Sequence, residues 1–357
     1  MSKTFDLNKI LRPHIISLAP YSSARDEYTG HVGIFLDANE NPYGSVTEEH
    51  YNRYPDPYQA EIKQKLAPLK NVSIDRIYLG NGSDEPIDLL TRATCTPGQD
   101  HVIILPPTYG MYEVSANIHD VIIDKVSLTD DYLINVDAVL QAITPKTKII
   151  WICSPNNPTG NVMQPEAIRT ILENFDGLVV VDEAYIDFTE TPSWTQHLDQ
   201  YPNLVVLQTF SKAWGLAGLR IGMCFASPEL IRILNKIKPP YNISLPAQKE
   251  LLKGLNESGK KDEMVADILK ERDSLCNMLA QLSLVIKVHP TDANFLLVQF
   301  EDAKAVMDYL INEAIIVRDR SRVHLCAGCL RITVGTQEEN EAVIESLKKY
   351  KPENITV

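Results

Sequence analysis

Short apolar runs recur along the first two thirds of this 357-residue chain, and they constrain the fold more than any other feature. Four of them are apolar from end to end, at residues 102–105, 149–153, 178–181 and 204–207. A strand with one exposed face alternates polar and apolar residues, whereas a strand covered on both faces is apolar throughout. The runs therefore predict a sheet that is buried on both sides.

Helical patterns lie between these runs. Further strands are predicted at 34–36, 77–79, 121–123 and 221–225, and helices at 61–69, 86–93 and 164–174. Alternating strands and helices predict an α/β fold in which helices sandwich a mostly parallel sheet. Ligands of such sheets bind beyond the carboxyl ends of the strands, so the polar residues after each run are the candidates for chemistry.

The pattern changes after Pro239, Pro240 and Pro246. Helices are predicted at 262–282, 303–314 and 338–350, and strands at 284–288, 295–300, 315–317 and 330–334. We interpret this as a smaller α/β domain at residues 246–357, which follows an N-terminal arm at 1–30 and a large domain at 31–245.

Composition and charge exclude several functions. The net charge is −13, which argues against binding to nucleic acid or an anionic membrane. No apolar run reaches the ~18 residues of a membrane span, and the start lacks the apolar core of a secretion signal. Six cysteines are too few for a disulfide framework, so a cytoplasmic location is expected. We interpret Cys326 and Cys329, which form a C-x-x-C beside His324, as packing residues.

The segment 208–220 contains the candidate nucleophile, Lys212. It lies between Phe210 and Trp214, and apolar surroundings favour the neutral amine, which is nucleophilic. Small residues follow, and then Arg220, whose planar guanidinium suits a phosphate. An amine, small residues and a phosphate clamp are what a pyridoxal phosphate (PLP) site requires. A lone lysine beside a glycine turn is more commonly a surface residue, so the assignment depends on the other segments.

Four further strand ends carry polar residues. Asp182 ends a buried run and could pair with the ring nitrogen of PLP, with Tyr185 on the ring oxygen; a magnesium ligand or a helix cap is the alternative for Asp182. Asn157 lies before a proline, which can aim its amide at a ligand, although a plain Asn-Pro turn has the same sequence. Residues 80–86 fit a helix N-terminus that binds phosphate, and Tyr109 could stack on an aromatic ring.

The motifs S-K-A-W-G-L-A-G-L-R, V-D-E-A-Y, S-P-N-N-P-T-G and G-N-G-S-D-E, together, resemble those of the PLP-dependent aminotransferases of fold type I. More narrowly, L-D-A-N-E-N-P, R-Y-P-D-P, I-I-V-R-D and C-L-R-I-T-V-G-T are similar to the histidinol-phosphate aminotransferases. The resemblance spans residues 18–336. It implies a homodimer that exchanges an amino group between L-histidinol phosphate and 2-oxoglutarate in histidine biosynthesis, as a ping-pong reaction.

The resemblance also implies roles for individual residues. Lys212 is the lysine that binds PLP covalently, Asp182 pairs with the ring nitrogen, and Tyr109 stacks on the ring. Asn157 and Tyr185 bind the ring oxygen. The residues implied on the cofactor phosphate are Ser83, Asp84, Ser211, Arg220 and, from the neighbouring subunit, Tyr54. Those implied on the substrate are Tyr21, Arg318 and Arg331.

Four arginines and one carboxylate, Asp319, lie between residues 318 and 331 of an acidic chain. Guanidinium groups bind phosphate and carboxylate through two hydrogen bonds, so this cluster suits a seat shared by both substrates. We interpret Arg320 and Arg322 as solvated surface residues. An aromatic aminotransferase or a threonine-phosphate decarboxylase of the same fold is the nearest alternative, and a non-catalytic PLP-binding regulator is a remote one.

Overall fold

A computed structural model describes residues 5–19 and 33–351, and its largest element is a seven-stranded sheet. The strands are β1 (Ile77–Asn81), β2 (His101–Ile104), β3 (Ile122–Lys125), β4 (Thr147–Cys153), β5 (Leu178–Asp182), β6 (Leu204–Thr209) and β7 (Ile221–Phe225). Their order is β1-β7-β6-β5-β4-β2-β3, and only β7 runs antiparallel to its neighbours. The predicted mostly parallel sheet is therefore confirmed, and every run predicted between 77 and 225 overlaps one of its strands.

Both faces of this sheet are covered, which explains why its central strands are apolar throughout. Ile150 and Val181 contribute to the core on one face, and Trp151 and Val180 to the core on the other. The strands β4, β5 and β6 are buried at nearly every position. Covering helices on both sides leave the strand ends as the accessible part of the sheet.

Eleven α-helices lie in the described residues. They are α1 (Pro13–Ser17), α2 (Ala60–Lys70), α3 (Asp84–Thr94), α4 (Met111–Ile118), α5 (Val136–Ala142), α6 (Pro165–Asn174), α7 (Pro228–Ile237), α8 (Leu245–Leu255), α9 (Ser258–Ala280), α10 (Ala303–Asn312) and α11 (Gln337–Lys349). The buried residues of α2, α5, α6 and α8 belong to the first core, and those of α3, α4 and α7 to the second. Of these helices, none is both long and apolar enough to cross a membrane.

A second sheet of four antiparallel strands follows in the order β10-β11-β9-β8. Its strands are β8 (Val285–Val288), β9 (Phe295–Phe300), β10 (Arg318–Asp319) and β11 (Cys329–Thr333). One face packs against α9, α10 and α11 through Leu296, Leu330 and their neighbours. The other face, with Phe295 and Cys329, joins the first core of the large sheet. This contact holds β11 beside the ends of β4 and β5, and the domain boundary at 245/246 stays a prediction.

Two predicted strands are wrong. Residues 34–36 are irregular, and Ile34 and Leu36 are 91% and 85% exposed. Residues 315–317 are irregular and follow the turn at 313–314, where the amide of Ile315 donates to the carbonyl of Leu310, and the strand starts only at Arg318. In both cases a short apolar run has the composition of a strand, but pairing with a neighbour decides whether such a run forms one.

Candidate active site

Five segments meet at one edge of the large sheet. Ser83 follows β1, Tyr109 follows β2, Asn157 follows β4, Asp182 ends β5 and Lys212 follows β6. Together with Tyr185, Ser211 and Arg220, they line one pocket of about 210 Å³. The parallel direction of these strands places their carboxyl ends side by side, so residues far apart in the sequence become neighbours.

Asp182 lies at the buried end of this pocket and is 2% exposed. Its carboxylate accepts hydrogen bonds from the hydroxyl of Tyr112 at 2.7 Å and from the amide of Ala184 at 3.1 Å. Burial raises the pKa of Asp182 from 3.8 to about 6, in spite of these two bonds. Within residues 5–19 and 33–351, no cationic side chain lies within 4 Å of it. The carboxylate is therefore poised for a positive partner that enters the pocket.

Tyr112 is a site residue that the sequence did not reveal. It is fully buried in α4, and its ring stacks on Trp151 at a centroid distance of 5.0 Å. The stacking fixes the hydroxyl on Asp182, and burial raises the pKa of Tyr112 far above its ordinary value, so it remains a donor. The only available signal was its position three residues after Tyr109, in the first turn of the helix that follows β2.

Lys212 reaches into the same pocket from the turn after β6. Its ammonium lies 5.7 Å from the ring centroid of Tyr185. Withdrawal from bulk water lowers the pKa of Lys212, and the charges of Arg331 and Arg220 lower it further, while Asp182 and Asp84 oppose the change. These influences increase the fraction of neutral amine, which is the form that can attack a carbonyl or accept a proton.

Asn157, Tyr185 and Arg331 form a hydrogen-bonded chain across the pocket. The Asn157 amide donates to the Tyr185 hydroxyl at 3.4 Å, and Arg331 Nη1 donates to Asn157 Oδ1 at 2.6 Å. Tyr185 and Arg331 both contact the ring of Phe295, at 5.1 and 5.2 Å. Burial raises the pKa of Tyr185, which therefore stays a neutral phenol at neutral pH. The chain connects the large sheet to β11, so Arg331 lies beside two residues that line the pocket.

The end of the pocket away from Asp182 suits an anion. Ser83 caps α3, and the first amides of a helix have no acceptor within the helix, so they point at a ligand. Arg220 lies beside this terminus, 3.6 Å from Asp84. Asp84 also accepts a hydrogen bond from the Tyr109 hydroxyl. Its carboxylate would repel a phosphate, so only its backbone amide suits an anion, while its side chain contacts Arg220 and Tyr109.

Gly82 keeps this anion site open. Its φ is +68°, and a Cβ there would lie 2.6 Å from Arg220 Nη2. The amide of Gly82 also donates to the carbonyl of Arg220 at 2.8 Å. Thr209, which the sequence did not single out, donates through its hydroxyl to Ser211 at 3.0 Å and thereby fixes that side chain at the pocket.

The arginine segment differs in part from expectation. Arg318 is exposed, as a substrate-facing residue can be, and pairs with Arg331 in register across β10 and β11. The interpretation of Arg320 as solvated surface is wrong, because it is half-buried and its Nε is withdrawn from solvent. Its burial follows from the amide of Arg320 extending the β10–β11 pairing to the carbonyl of Cys329. Arg322 is exposed.

Two predicted residues are not in this pocket. Tyr54 stacks on Tyr241 at 4.4 Å and lines a separate cavity, and its role at a neighbouring subunit stays a prediction. Tyr21 lies outside the described residues. Cys326 and Cys329 are buried in the core between the two sheets, where they pack.

The pocket fits PLP at both of its ends. A buried carboxylate without a cation suits a protonated ring nitrogen, and the helix terminus with Arg220 suits a phosphate. Between these ends lie the ring of Tyr109, the Asn157–Tyr185 pair and the amine of Lys212. The donor set thus matches the ring, the ring oxygen, the aldehyde and the phosphate of that cofactor.

Comparisons with known proteins agree with this geometry. The family model described as aminotransferase class I and II matches residues 34–347. The chain is 58% identical to a histidinol-phosphate aminotransferase of Cytophaga hutchinsonii over 97% of this chain and 99% of that protein, and 50% identical to one of Parabacteroides distasonis with the same coverage. Its fold matches the crystal structure of a histidinol-phosphate aminotransferase from Sinorhizobium meliloti in complex with PLP (TM-score 0.78, 23% identity, 87% of this chain and 90% of that one).

Proposed function

The chain belongs to the class I and II aminotransferase family, and from this premise we propose that it is a PLP-dependent transaminase acting on L-histidinol phosphate. It interconverts two pairs of compounds by transfer of one amino group: L-histidinol phosphate and 2-oxoglutarate on one side, imidazole acetol phosphate and L-glutamate on the other. This reaction belongs to histidine biosynthesis. The observation that carries the proposal is the convergence of Lys212, Asp182 and Arg220 on one pocket. The relatives named above support the substrate.

The pocket residues would hold the cofactor at its two ends and on one face. Asp182 would hold the ring nitrogen, and the Asn157 amide and the Tyr185 hydroxyl would hold the ring oxygen. The amides at the start of α3, the Ser211 hydroxyl and Arg220 would hold the phosphate, and Tyr109 would pack on the ring. When bound, PLP supplies an electron-withdrawing ring that stabilises negative charge on the carbon next to the amine.

Lys212 is the proton carrier of the reaction. Its lowered pKa makes the neutral amine available, and the amine takes a proton from the carbon that bears the substrate nitrogen. Lys212 Nζ then holds this proton as an ammonium, from which it can be given back within the same half-reaction. Asp182 contributes by holding the proton on the ring nitrogen, since its buried carboxylate is stabilised by a cation there.

Arg331 binds the anionic end of each substrate in turn. It is fixed by Asn157 and by the ring of Phe295, so its remaining guanidinium donors are oriented before a ligand arrives. Glutamate presents a carboxylate and histidinol phosphate presents a phosphate, and a guanidinium binds either through two hydrogen bonds. Arg318 lies directly opposite Arg331 in the register of β10 and β11, so it adds positive charge beside the Arg331 guanidinium.

Turnover of a panel of amino donors tests the proposal. We expect L-histidinol phosphate to be used far better than phenylalanine or threonine phosphate, and Lys212→Ala to abolish turnover. Preferred use of phenylalanine would indicate an aromatic aminotransferase, and release of carbon dioxide from threonine phosphate would indicate the decarboxylase. Unchanged turnover by Lys212→Ala would refute the catalytic role.

We propose further that the active enzyme is a homodimer in which Tyr54 of each subunit contacts the cofactor phosphate of the other. The segment around Tyr54 exposes apolar side chains to an unusual degree, with Tyr43 98% and Val46 107% exposed. Such side chains favour burial at an interface between subunits. The six free cysteines support the cytoplasm as the place of action.

Complementation between two inactive variants tests the shared site. Lys212→Ala and Tyr54→Ala are each expected to be impaired, and a mixed dimer contains one site in which both residues are intact. An equal mixture that is allowed to exchange subunits should regain about a quarter of the wild-type activity. No regain, with mixed dimers demonstrated by native mass spectrometry, would place Tyr54 in the site of its own subunit or outside both.

A further inference from the structure

Three arginines lie on one face of the ribbon formed by β10 and β11. Arg318 and Arg331 are directly opposite each other in the antiparallel register. Arg320 comes two residues after Arg318 and continues the pairing through its amide bond to Cys329. Because side chains alternate between faces along a strand, Arg318, Arg320 and Arg331 share the face that turns to the active site, and Asp319 points to the other face.

This face carries uncompensated positive charge. Among residues 5–19 and 33–351, no carboxylate lies within 4 Å of these three guanidinium groups. The Nε atoms of Arg320 and Arg331 are both buried without a hydrogen-bond acceptor there. Burial and then the charges of Arg331 and Arg318 lower the pKa of Arg320. Like charges opposite each other destabilise a strand pair, so the arrangement favours an anion bound between them.

Arg320 also lines a cavity of about 490 Å³ that adjoins the cofactor pocket. The two share Tyr109 and Asn157, so a substrate joined to the cofactor can extend from one into the other. The cavity contains one carboxylate, Glu113, which is already paired with Lys125 at 2.7 Å. Its unpaired charge is therefore positive, and its volume is sufficient for a small phosphorylated amine.

Carboxylate and phosphate make different demands on such a seat. A carboxylate has two oxygens and one charge, which a single guanidinium satisfies with two hydrogen bonds. A phosphate monoester has three free oxygens and nearly two charges at neutral pH, so it can engage a second guanidinium. Arg331 is hydrogen-bonded to Asn157, which lines both pockets, while Arg320 lines the adjoining cavity, so the two groups can approach one phosphate from two sides.

We propose that Arg320 binds the phosphate of the amine substrate in addition to Arg331, contributes little to binding glutamate, and so sets the preference for a phosphorylated amine. This inference rests on the proposed function for its substrate. Arg320 would distinguish the phosphorylated amine from glutamate, whereas Arg331 binds both substrates and cannot distinguish them.

The test compares the two half-reactions in the holoenzyme. Arg320→Gln should lower kcat/KM for L-histidinol phosphate roughly 10- to 100-fold, which is the loss expected for hydrogen bonds to a charged group. The same substitution should change kcat/KM for L-glutamate less than about threefold. Arg232→Gln removes the same charge from an exposed arginine of α7 that lines neither pocket, and it should change both values less than about threefold. An unchanged visible spectrum and melting temperature of Arg320→Gln would exclude a merely structural effect.

Inorganic phosphate separates this inference from the substrate assignment. It should inhibit the glutamate half-reaction of the wild-type enzyme, and Arg320→Gln should weaken that inhibition about 10-fold or more. If the wild-type enzyme accepted glutamate but not histidinol phosphate, the proposed substrate would be wrong while phosphate inhibition still tested Arg320. Equal losses in both half-reactions, or unchanged phosphate inhibition, would overturn the inference.

Discussion

Replacement of Asp182 by asparagine should stabilise the protein without cofactor and weaken its binding of PLP. Burial raises the pKa of this carboxylate from 3.8 to about 6. One pKa unit corresponds to about 1.4 kcal/mol, so the ionised group costs the apoenzyme about 3 kcal/mol of folding stability at pH 8. Asparagine has nearly the same shape and no charge, so Asp182→Asn should recover up to about that amount.

The contribution of Asp182 to the folding stability of the apoenzyme changes with pH. Between pH 3.8 and about 6, the folded apoenzyme retains the Asp182 proton and the unfolded chain has lost it. The contribution of this group to stability therefore falls as the pH rises through that window and stays at its lowest above it. The gain from Asp182→Asn should be about 3 kcal/mol at pH 8 and about half of that at pH 5.

Urea unfolding of the two apoenzymes at pH 5 and pH 8 measures the gain, and titration with PLP measures the loss. The variant lacks the negative partner of the ring nitrogen, and about 3 kcal/mol corresponds to a roughly 100-fold lower affinity. The reasoning is refuted if the variant apoenzyme is no more stable than wild type at pH 8, if its gain is the same at both pH values, or if its PLP affinity is unchanged.

Three more substitutions probe the parts of the pocket. Tyr112→Phe removes the hydroxyl that donates to Asp182 and should lower PLP affinity roughly 10-fold while the apoenzyme stays folded, as measured by PLP titration and circular dichroism. Gly82→Ala, at φ +68° and 2.6 Å from Arg220, should weaken PLP binding about 10-fold or more, whereas an alanine at the exposed Gly110, where a Cβ meets nothing within 4 Å, should not. Arg331→Gln should reduce kcat/KM roughly 10- to 100-fold in both half-reactions, in contrast to Arg320→Gln, and single-turnover absorbance with each donor measures it.

The sequence revealed the large sheet and most of the pocket because both depend on local patterns. The strands β4, β5 and β6 are buried on both faces, so each is a continuous apolar run that can be recognised without its neighbours. Each strand end then predicts where polar residues converge, and Asp182, Asn157 and Lys212 do meet there. The helix N-terminus at Ser83 was visible from its glycines and capping residues.

The residues that were missed depend on tertiary contacts. Tyr112 looks like an ordinary helical aromatic, and only its stacking on Trp151 directs the hydroxyl to Asp182. Arg320 lies in a charged segment typical of solvated surface, and its burial follows from the register of β10 against β11. Residues 315–317 have the composition of a strand but are irregular, because they pair with no other strand of the described residues before β10 begins at Arg318.

Chemical trapping of the cofactor tests the central claim, that the amine of Lys212 is the group that meets the aldehyde of PLP in this pocket. The holoenzyme is reduced with borohydride, digested and analysed by mass spectrometry, with Lys212→Ala as the control. We predict that the reduced cofactor is attached to the peptide that contains Lys212, and that the variant carries none. An active enzyme whose cofactor is trapped on another lysine, or on none, would contradict the account.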